Sequence, residues 1–304
     1  MTTQSDRAGT RRNRAGSKWG LAVLPGLPFV APALVLLLVA VGYPVVLAVY
    51  LSLMHGSLIK TDGFVGLANY VGIFTSAEFY AALRFTALFA VSSIVGCYVI
   101  GLGLALLLHR ALPARGLLRV LFLMPWVIPS VVAIAGWRQL IGSEDALINL
   151  LIRAAGLPPI YFLSDDNWAV VWVIVIKIWR SVPFMMLSLL AGLQAIDRSL
   201  YEAAAIDGAS KIQSFFFVTL PQLRNVSVVL GLMMAIWSVN DFETVWLLTQ
   251  GGPGYSTQNL VVLSFLYTFK RSNVGFGTAI SLVTLVVLMV LIVLSLRQQR
   301  EQRA

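Results

Sequence analysis

Apolar residues fall in six long runs along the chain, and polar stretches that carry most of the charged residues separate these runs. A helix needs about 20 mostly apolar residues to cross the hydrocarbon core of a membrane, and each run reaches that length. The pattern therefore predicts six membrane-spanning helices. Their expected bounds are Pro28–Leu53, Ala81–Leu108, Gly116–Ile141, Trp168–Leu190, Val226–Thr249 and Phe276–Leu296.

The amino-acid composition supports the prediction of membrane-spanning helices. Of the 304 residues, 59% are hydrophobic and 12% are charged, whereas a soluble globular protein carries about 25% charged residues. The single cysteine, Cys97, lies inside the second run, which excludes a disulfide scaffold. The first run is too long for a cleaved signal peptide and follows a hydrophilic lead, so we interpret it as a retained span. We therefore predict an all-α membrane protein with six transmembrane helices.

Basic residues give the chain a net charge of +9, and their distribution predicts the orientation of the spans. Most of them lie in the N-terminal tail, in the second-to-third and fourth-to-fifth connections and in the C-terminal tail. Loops rich in Lys and Arg stay in the cytoplasm. We therefore expect both termini to be cytoplasmic, with a basic tail over 1–27, the six-span domain over 28–296 and a short tail over 297–304. Topology accounts for the surplus charge, so no nucleic-acid partner is expected.

Two connections on the opposite side of the membrane contain sequences that predict local structure. Within 142–167, the stretch Ala146–Leu157 has the spacing of an amphipathic helix, which the sequence Gly-Leu-Pro-Pro ends. The connection 250–275 opens with Gln-Gly-Gly-Pro-Gly, which predicts a turn.

The connection over about 196–224 is unusually long for an inside loop. Strong helix formers over Leu200–Ile206 lead to Gly208, and glycine accepts the left-handed conformation that ends a helix. A second helical stretch restarts near Lys211, carries three adjacent phenylalanines and is expected to break at Pro221. The pattern predicts two short helices with a sharp bend, and at least one phenylalanine buried in protein. An interfacial amphipathic helix without a partner is the alternative.

The spacing within this loop resembles the EAA loop of ABC importer permeases. Glu202-Ala203-Ala204 is followed by Gly208 after three residues and, nine residues later, by Val218-x-Leu220-Pro221, where the family usually has isoleucine in place of the valine. In that family the loop docks into a groove on a cytoplasmic ATPase. The resemblance therefore implies a set of ATPase-coupling residues: Glu202, Ala203, Ala204, Asp207, Gly208, Ala209, Leu220 and Pro221.

Further motifs are similar to the carbohydrate-type branch of that family, and to its first permease, the MalF/UgpA type. These motifs are Leu123–Pro129, Trp179–Phe184, Ala191–Ile196, Asn240–Phe242 and Leu248–Pro253. The resemblance implies a type I ABC importer permease fold in the cell membrane. It also implies four kinds of contact: a second permease subunit, two cytoplasmic ATPase subunits, an extracytoplasmic solute-binding protein or lipoprotein, and membrane lipid.

The residues argue against catalysis by this chain itself. The sequence has no Gly-Lys pair and hence no Walker A loop, so ATP and Mg would bind to the partner ATPases, and this chain would carry no cofactor. His55 and His109 lie near span ends on opposite sides, so no metal site is expected.

Four charged residues fall within the predicted spans, where charge is costly and points to function. Lys177 and Arg180 are expected near the midplane of the fourth span, and Asp241 and Glu243 in the interior of the fifth. Salt bridges between the two helices and direct contact with a substrate are both compatible with this placement.

Prolines interrupt several of the predicted spans. Pro125 and Pro129 are expected to share one helix face, and Pro44 and Pro183 to break two further spans. Because proline lacks a backbone donor, it frees carbonyls that a cavity can use, and irregular helices around a midplane cavity are typical of transporters.

Alignment of these motifs with maltose-type permeases puts seven residues at the family's substrate-contact positions. They are Lys177, Arg180, Ser181, Phe184, Trp237, Ser238 and Asp241. The last three are expected on one helical stripe that offers an aromatic face and polar groups to a sugar.

The resemblance and the charges predict the permease of an ATP-driven sugar importer, with a di- or oligosaccharide of the trehalose or maltose type as substrate. The two cations and two anions cancel, which favours a neutral ligand over glycerol-3-phosphate or a glycerophosphodiester, the alternative within the same class. An ion-coupled secondary transporter is the main rival class, and a membrane-embedded enzyme is third.

Overall fold

The computed structural model describes residues 27–57, 59–110 and 113–301. The predicted N-terminal tail lies outside the described residues except for Leu27, and so do residues 302–304 of the predicted C-terminal tail. The chain divides into two compact units, residues 1–47 and 48–304. Most of the described residues are helical.

The described part of the first unit is one helical segment. It begins with α1 (Leu27–Leu37), passes through a π-helical turn at Leu38–Gly42 and continues as α2 (Tyr43–Ser52). Pro44 explains the wide turn, because in a regular α-helix its ring would clash with the carbonyl four residues before it. This confirms the predicted first span, and Pro44 widens a turn without ending the helix.

The second unit contains a small hairpin and twelve further α-helices among the described residues. In chain order these elements are β1 (Met54–Gly56), β2 (Thr61–Phe64), α3 (Ala68–Thr75), α4 (Ala77–His109), α5 (Arg115–Val127), α6 (Ser130–Ile141), α7 (Leu147–Ala154), α8 (Asp166–Gln194), α9 (Arg198–Ile206), α10 (Lys211–Ser214), α11 (Leu220–Val239), α12 (Glu243–Leu248), α13 (Leu260–Phe265) and α14 (Val274–Glu301). The strands pair antiparallel, with Met54 opposite Phe64.

The third predicted span is a pair of helices, α5 and α6, that meet at an angle of 90°. Ile128, between them, has extended backbone angles, because a residue before proline is disfavoured in the helical region. Pro129 then precedes α6 as its N-cap. Pro125 and Pro129 therefore do not share a helix face, as the spacing had predicted, since they belong to helices on opposite sides of a bend.

The core of the second unit lies where α4, α8 and α11 pack together. Gly101 of α4 allows close approach, since a Cβ atom there would lie 2.8 Å from Cγ of Met185 on α8. Met185, Leu189 and Met234 are fully buried at this junction. The helix α8 continues through Pro183, so the predicted interruption there is wrong.

The fifth span differs from the prediction at both ends. The chain is helical from Lys211 to Val239 without a break, because a π-helical turn at Phe215–Thr219 joins α10 to α11. The wide turn accommodates Pro221 in the same way as the turn before Pro44, so the expected break at Pro221 does not occur. At the other end the helix stops at Val239, ten residues before the predicted end.

The sixth span is α14, which runs beyond the predicted end to Glu301. Before it, the connection that the sequence marked only as a turn forms α13 and a π-helical turn at Leu266–Lys270. Arg271 ties this segment to the start of α4, because both of its terminal nitrogens lie 2.7 Å from the carboxylate oxygens of Glu78. The amphipathic helix predicted within 142–167 is α7.

Candidate substrate path and EAA-like loop

A buried ion pair joins α8 to the break between α11 and α12. Lys177 Nζ lies 2.7 Å from Asp241 Oδ2, and the two side chains are only 9% and 6% exposed. Thr244 also donates to both oxygens of Asp241, from its backbone N–H at 2.8 Å and from its hydroxyl at 2.9 Å. These bonds satisfy the carboxylate, and they fix the start of α12 beside α8.

A second, looser pair lies one helical turn along α8. Arg180 Nη2 is 3.9 Å from Glu243 Oε2, and Arg180 Nη1 donates to the Thr244 hydroxyl at 3.2 Å. The Arg180 side chain is 22% exposed and that of Glu243 56%. The two cations and two anions thus form ion pairs, which was one of the two arrangements compatible with the sequence: the Lys177–Asp241 pair is buried and the Arg180–Glu243 pair is partly exposed.

The helical positions predicted for the anions are wrong. Because the helix ends at Val239, Asp241 precedes α12 and Glu243 begins it, so neither lies in the interior of the fifth helix. Trp237, Ser238 and Asp241 therefore do not form one helical stripe. The Asp241 carboxylate accepts a bond from the Thr244 N–H in the first turn of α12, and the Asn259 side-chain amide donates to the Asp241 carbonyl at 2.6 Å.

Three aromatic rings meet beside these pairs. The ring centroids of Phe184 and Trp237 are 4.8 Å apart, and those of Trp126 and Phe184 are 6.2 Å apart. Trp237 is 38% exposed and Trp126 is 53% exposed, so both present ring surface. Sequence reasoning did not assign Trp126 to the site, although it belongs to the Met-Pro-Trp motif before the α5–α6 bend. We call Trp126, Phe184 and Trp237 the aromatic cluster.

The two predicted serine contacts are buried. Ser238 has no exposed surface, and its hydroxyl finds no hydrogen-bond partner within the described residues. Ser181 is 9% exposed. Of the seven predicted contacts, the side chains with substantial exposure are therefore Trp237 and the partly exposed Arg180 and Phe184.

The EAA-like loop (196–224) forms the predicted bend. Asp197 caps α9 by accepting a bond from the Ser199 N–H at 2.9 Å, and this bond lowers the pKa of Asp197. Gly208 ends α9 with φ of +78°, and the Ala209 N–H bonds to the Ala204 carbonyl at 2.9 Å.

The second helix of the loop starts just beyond this bend. Ser210 and Gln213 form a reciprocal capping box at the beginning of α10. The bend at Gly208 is therefore held by hydrogen bonds on both sides.

Most of the predicted coupling residues lie on the surface of this loop. Glu202, Ala203, Asp207, Gly208 and Pro221 are exposed, and Ala204, Ala209 and Leu220 are half-buried.

The three phenylalanines lie on the helix that follows the bend. None is fully buried: Phe215 packs partly into the core, whereas Phe216 and Phe217 are 55% and 79% exposed. With Ile206 and Ile212 these rings leave an exposed apolar face on the loop, which sequence reasoning did not predict.

Within the described residues, five apolar helices are long enough to cross a membrane, and the bent pair makes up to six. Long apolar helices, ion pairs within the apolar segments and a two-helix loop are features of a multi-pass membrane protein. Residues 97–303 match the profile of the family described as binding-protein-dependent transport system inner membrane component. The chain belongs to this family and is an inner-membrane component of an ABC transport system.

Relatives of similar length are named as permease proteins of transport systems. The trehalose/maltose transport system permease protein MalF of Thermococcus litoralis is 35% identical over 260 residues, which cover 85% of this chain and 88% of that protein. The sulfoquinovosyl glycerol transport system permease protein SmoG of Agrobacterium fabrum is 35% identical over 267 residues, covering 86% and 85%. The trehalose transport system permease protein SugA of Mycobacterium tuberculosis is 32% identical over 286 residues, covering 93% and 91%.

The fold is that of solved importer permeases. A chain in the crystal structure of a bacterial ABC transporter involved in the import of the acidic polysaccharide alginate superimposes with a TM-score of 0.78 at 21% identity. The superposition covers 90% of this chain and 94% of that chain. This likeness confirms the predicted type I importer permease fold.

Proposed function

We propose that this chain is the permease subunit of an ATP-driven importer whose substrate is a neutral di- or oligosaccharide. The observation that carries the proposal is the aromatic cluster beside two ion pairs that leave no net charge. The name of one relative, which refers to trehalose and maltose, supports the same class of substrate.

The aromatic cluster suits a sugar because ring faces pack against the apolar C–H surface of a pyranose. Phe184 and Trp237 would contact the sugar together with Trp126, and Arg180 would donate to hydroxyls at the edge. Lys177, Ser181, Ser238 and Asp241 lie behind this surface, and they would reach the substrate only when α8 and the α11–α12 break separate. All seven predicted residues would therefore contact the substrate at some stage of transport.

The charge balance disfavours an anionic substrate. Lys177 is closed against Asp241 at 2.7 Å, and Arg180 faces Glu243. A phosphate at this place would add negative charge without a free cation, and burying an unpaired charge costs several kcal/mol. A glycerol phosphate therefore fits less well than a neutral sugar.

The proposed partners follow from the EAA-like loop. Its exposed bend at Gly208 would dock into one of two cytoplasmic ATPases, which would bind ATP and Mg, while a second permease subunit completes the path. An extracytoplasmic binding protein or lipoprotein would deliver the substrate from the other side. The chain itself would perform no catalysis.

The continuous helix Lys211–Val239 would connect the loop with the substrate path. Its 29 residues span about 40 Å at 1.5 Å per residue. The loop is tied to it, since the Tyr201 hydroxyl lies 2.9 Å from the Thr219 hydroxyl. A displacement of the docked loop would therefore move Trp237 and the ion pair at Asp241 together.

Competition during uptake tests the substrate class. The complete transporter, reconstituted with its binding protein, should have its uptake blocked by neutral disaccharides such as trehalose or maltose and not by glycerol-3-phosphate or glycerophosphodiesters. The opposite order of inhibition would show that Lys177 and Arg180 clamp a phosphate, and it would overturn the charge argument.

A matched pair of tryptophan variants tests the aromatic cluster. Trp237→Ala should raise the KM for uptake about tenfold, because one stacking surface is lost. Trp168→Ala removes a similarly exposed tryptophan (43% against 38%) at the start of α8, where it packs on Phe162, and should leave KM unchanged. Equal effects of the two substitutions on KM would contradict the assignment.

A further inference from the structure

A cavity of about 440 Å³ opens between α4, α5 and α8, and none of its lining residues belongs to the proposed substrate contacts. All ten lining residues are apolar or aromatic. They include Ile100 and Leu104 from α4, Phe122 and Pro125 from α5, and Val175 and Val182 from α8. The cavity has the chemistry of a site for a hydrocarbon chain.

Two arginines lie on the same face of α5, toward its N-terminus. Arg115, Arg119 and Phe122 stand at positions i, i+4 and i+7, so the guanidinium groups follow the line of the cavity-lining Phe122. Both arginines are half-buried. Their Nε atoms are fully buried, and each lacks a hydrogen-bond partner among the residues that the structure describes.

The helix end beside these arginines carries further positive potential. The N-cap residue of α5, Ala114, offers no side-chain hydrogen bond to the first turn, and that turn contains no acidic residue. The first N–H groups of a helix are unsatisfied and attract an anion. Two arginines at this end add positive charge where an acidic residue would normally balance it.

We propose that this face binds one anionic phospholipid, with its phosphate at Arg115 and Arg119 and an acyl chain in the cavity. The distribution of basic residues predicts that this end of α5 faces the cytoplasm, where anionic lipids are concentrated. A neighbouring protein helix would fill the apolar cavity, but it would also satisfy the arginines only if it placed an acidic side chain at this end of α5. The proposal does not depend on which substrate the transporter carries.

Lipid retention measured by native mass spectrometry tests this site. The full-length chain, purified with its accompanying subunits, would be exposed to phosphatidylglycerol or phosphatidylcholine with identical acyl chains. The wild type should retain phosphatidylglycerol preferentially. Arg115→Gln combined with Arg119→Gln should reduce that affinity about thirtyfold, since each basic side chain near an anionic headgroup contributes about fivefold.

A control variant and a second site variant distinguish the effect of the arginine charges from the effect of the cavity and from a general loss of folding. Arg224→Gln removes an exposed arginine from α11, in another basic connection, and should not change retention. Leu104→Trp fills the cavity and should displace phosphatidylglycerol although both arginines remain. Loss of retention in both site variants, with the Arg224 variant unchanged, is the expected result.

Three results would overturn the proposal. Equal retention of the two lipids by the wild type would show that the arginines do not select an anion. Displacement of the lipid by inorganic phosphate alone would indicate a site for a free anion. Efficient cross-linking of Leu121→Cys, at the mouth of the cavity, to the second permease subunit would show that a protein helix occupies it.

Discussion

Lys177 and Asp241 form the buried ion pair that joins α8 to the start of α12. Their side chains are almost fully buried and 2.7 Å apart, and Thr244 satisfies the remaining capacity of the carboxylate. A buried pair contributes little net stability relative to apolar residues, but removal of one partner leaves an uncompensated charge. We therefore expect the pair to favour this arrangement of α8 and α12 over any in which one charge is left unpaired.

This asymmetry predicts the outcome of a double-mutant cycle. Lys177→Met or Asp241→Leu alone should lower the free energy of unfolding by about 3–5 kcal/mol, whereas the double substitution should recover most of that loss. Chemical denaturation in mild detergent, followed by tryptophan fluorescence, measures the three values. Additive losses in the double variant would show that the two residues do not act as a pair.

For single residues, the sequence predicted which charged side chains lie at a similar depth better than it predicted which residues surround them. The equal numbers of cations and anions near one depth were compatible with ion pairs or with substrate contact, and the structure shows the ion pairs. The helix stripe through Trp237 and Asp241 was wrong, because nothing in the spacing shows that α11 stops at Val239. Burial of Ser238 and the approach of Trp126 depend on packing between helices distant in sequence, which periodicity does not contain.

The sequence predicted the presence of the membrane-spanning helices better than it predicted the residues at which they begin, bend and end. Six apolar runs correspond to five long helices and one bent pair, since run length alone decides whether a segment can span a membrane. Prolines were harder to interpret. Pro129 follows a 90° bend, Pro183 lies within a continuous helix, and Pro221 is accommodated by a π-helical turn. The outcome depends on backbone adjustments that the residue type alone does not specify.

The bend of the EAA-like loop offers a test at the scale of one element. Gly208 and Gly156 both have φ of +78°, and a Cβ atom at either would meet no neighbour within 4 Å. Alanine at either position should therefore impose the same backbone cost of about 1 kcal/mol. Only the EAA-like loop is proposed to contact an ATPase.

Substitution at Gly208 should therefore affect coupling specifically. Gly208→Asp should leave the protein inserted but abolish transport-coupled ATP hydrolysis, and Gly208→Ala should reduce it. Gly156→Ala, at the end of α7, should leave hydrolysis and uptake unchanged. Normal uptake by the Gly208→Asp variant would refute docking through this bend.

At the scale of the whole molecule, one helix joins the two proposed working surfaces. The segment Lys211–Val239 starts at the EAA-like loop and ends beside the aromatic cluster. The exposed apolar face formed by Phe216, Phe217 and the loop isoleucines is typical of a surface that a partner covers. This arrangement is consistent with the proposal that a partner subunit docks on the EAA-like loop.

The energy source of uptake tests the central claim most directly. The tagged chain, purified with its accompanying subunits and reconstituted in liposomes, should take up labelled sugar only with ATP inside the vesicles and binding protein outside. An ionophore that dissipates proton and sodium gradients should not change the rate. Uptake by this chain alone, driven by an ion gradient and indifferent to ATP, would contradict the account.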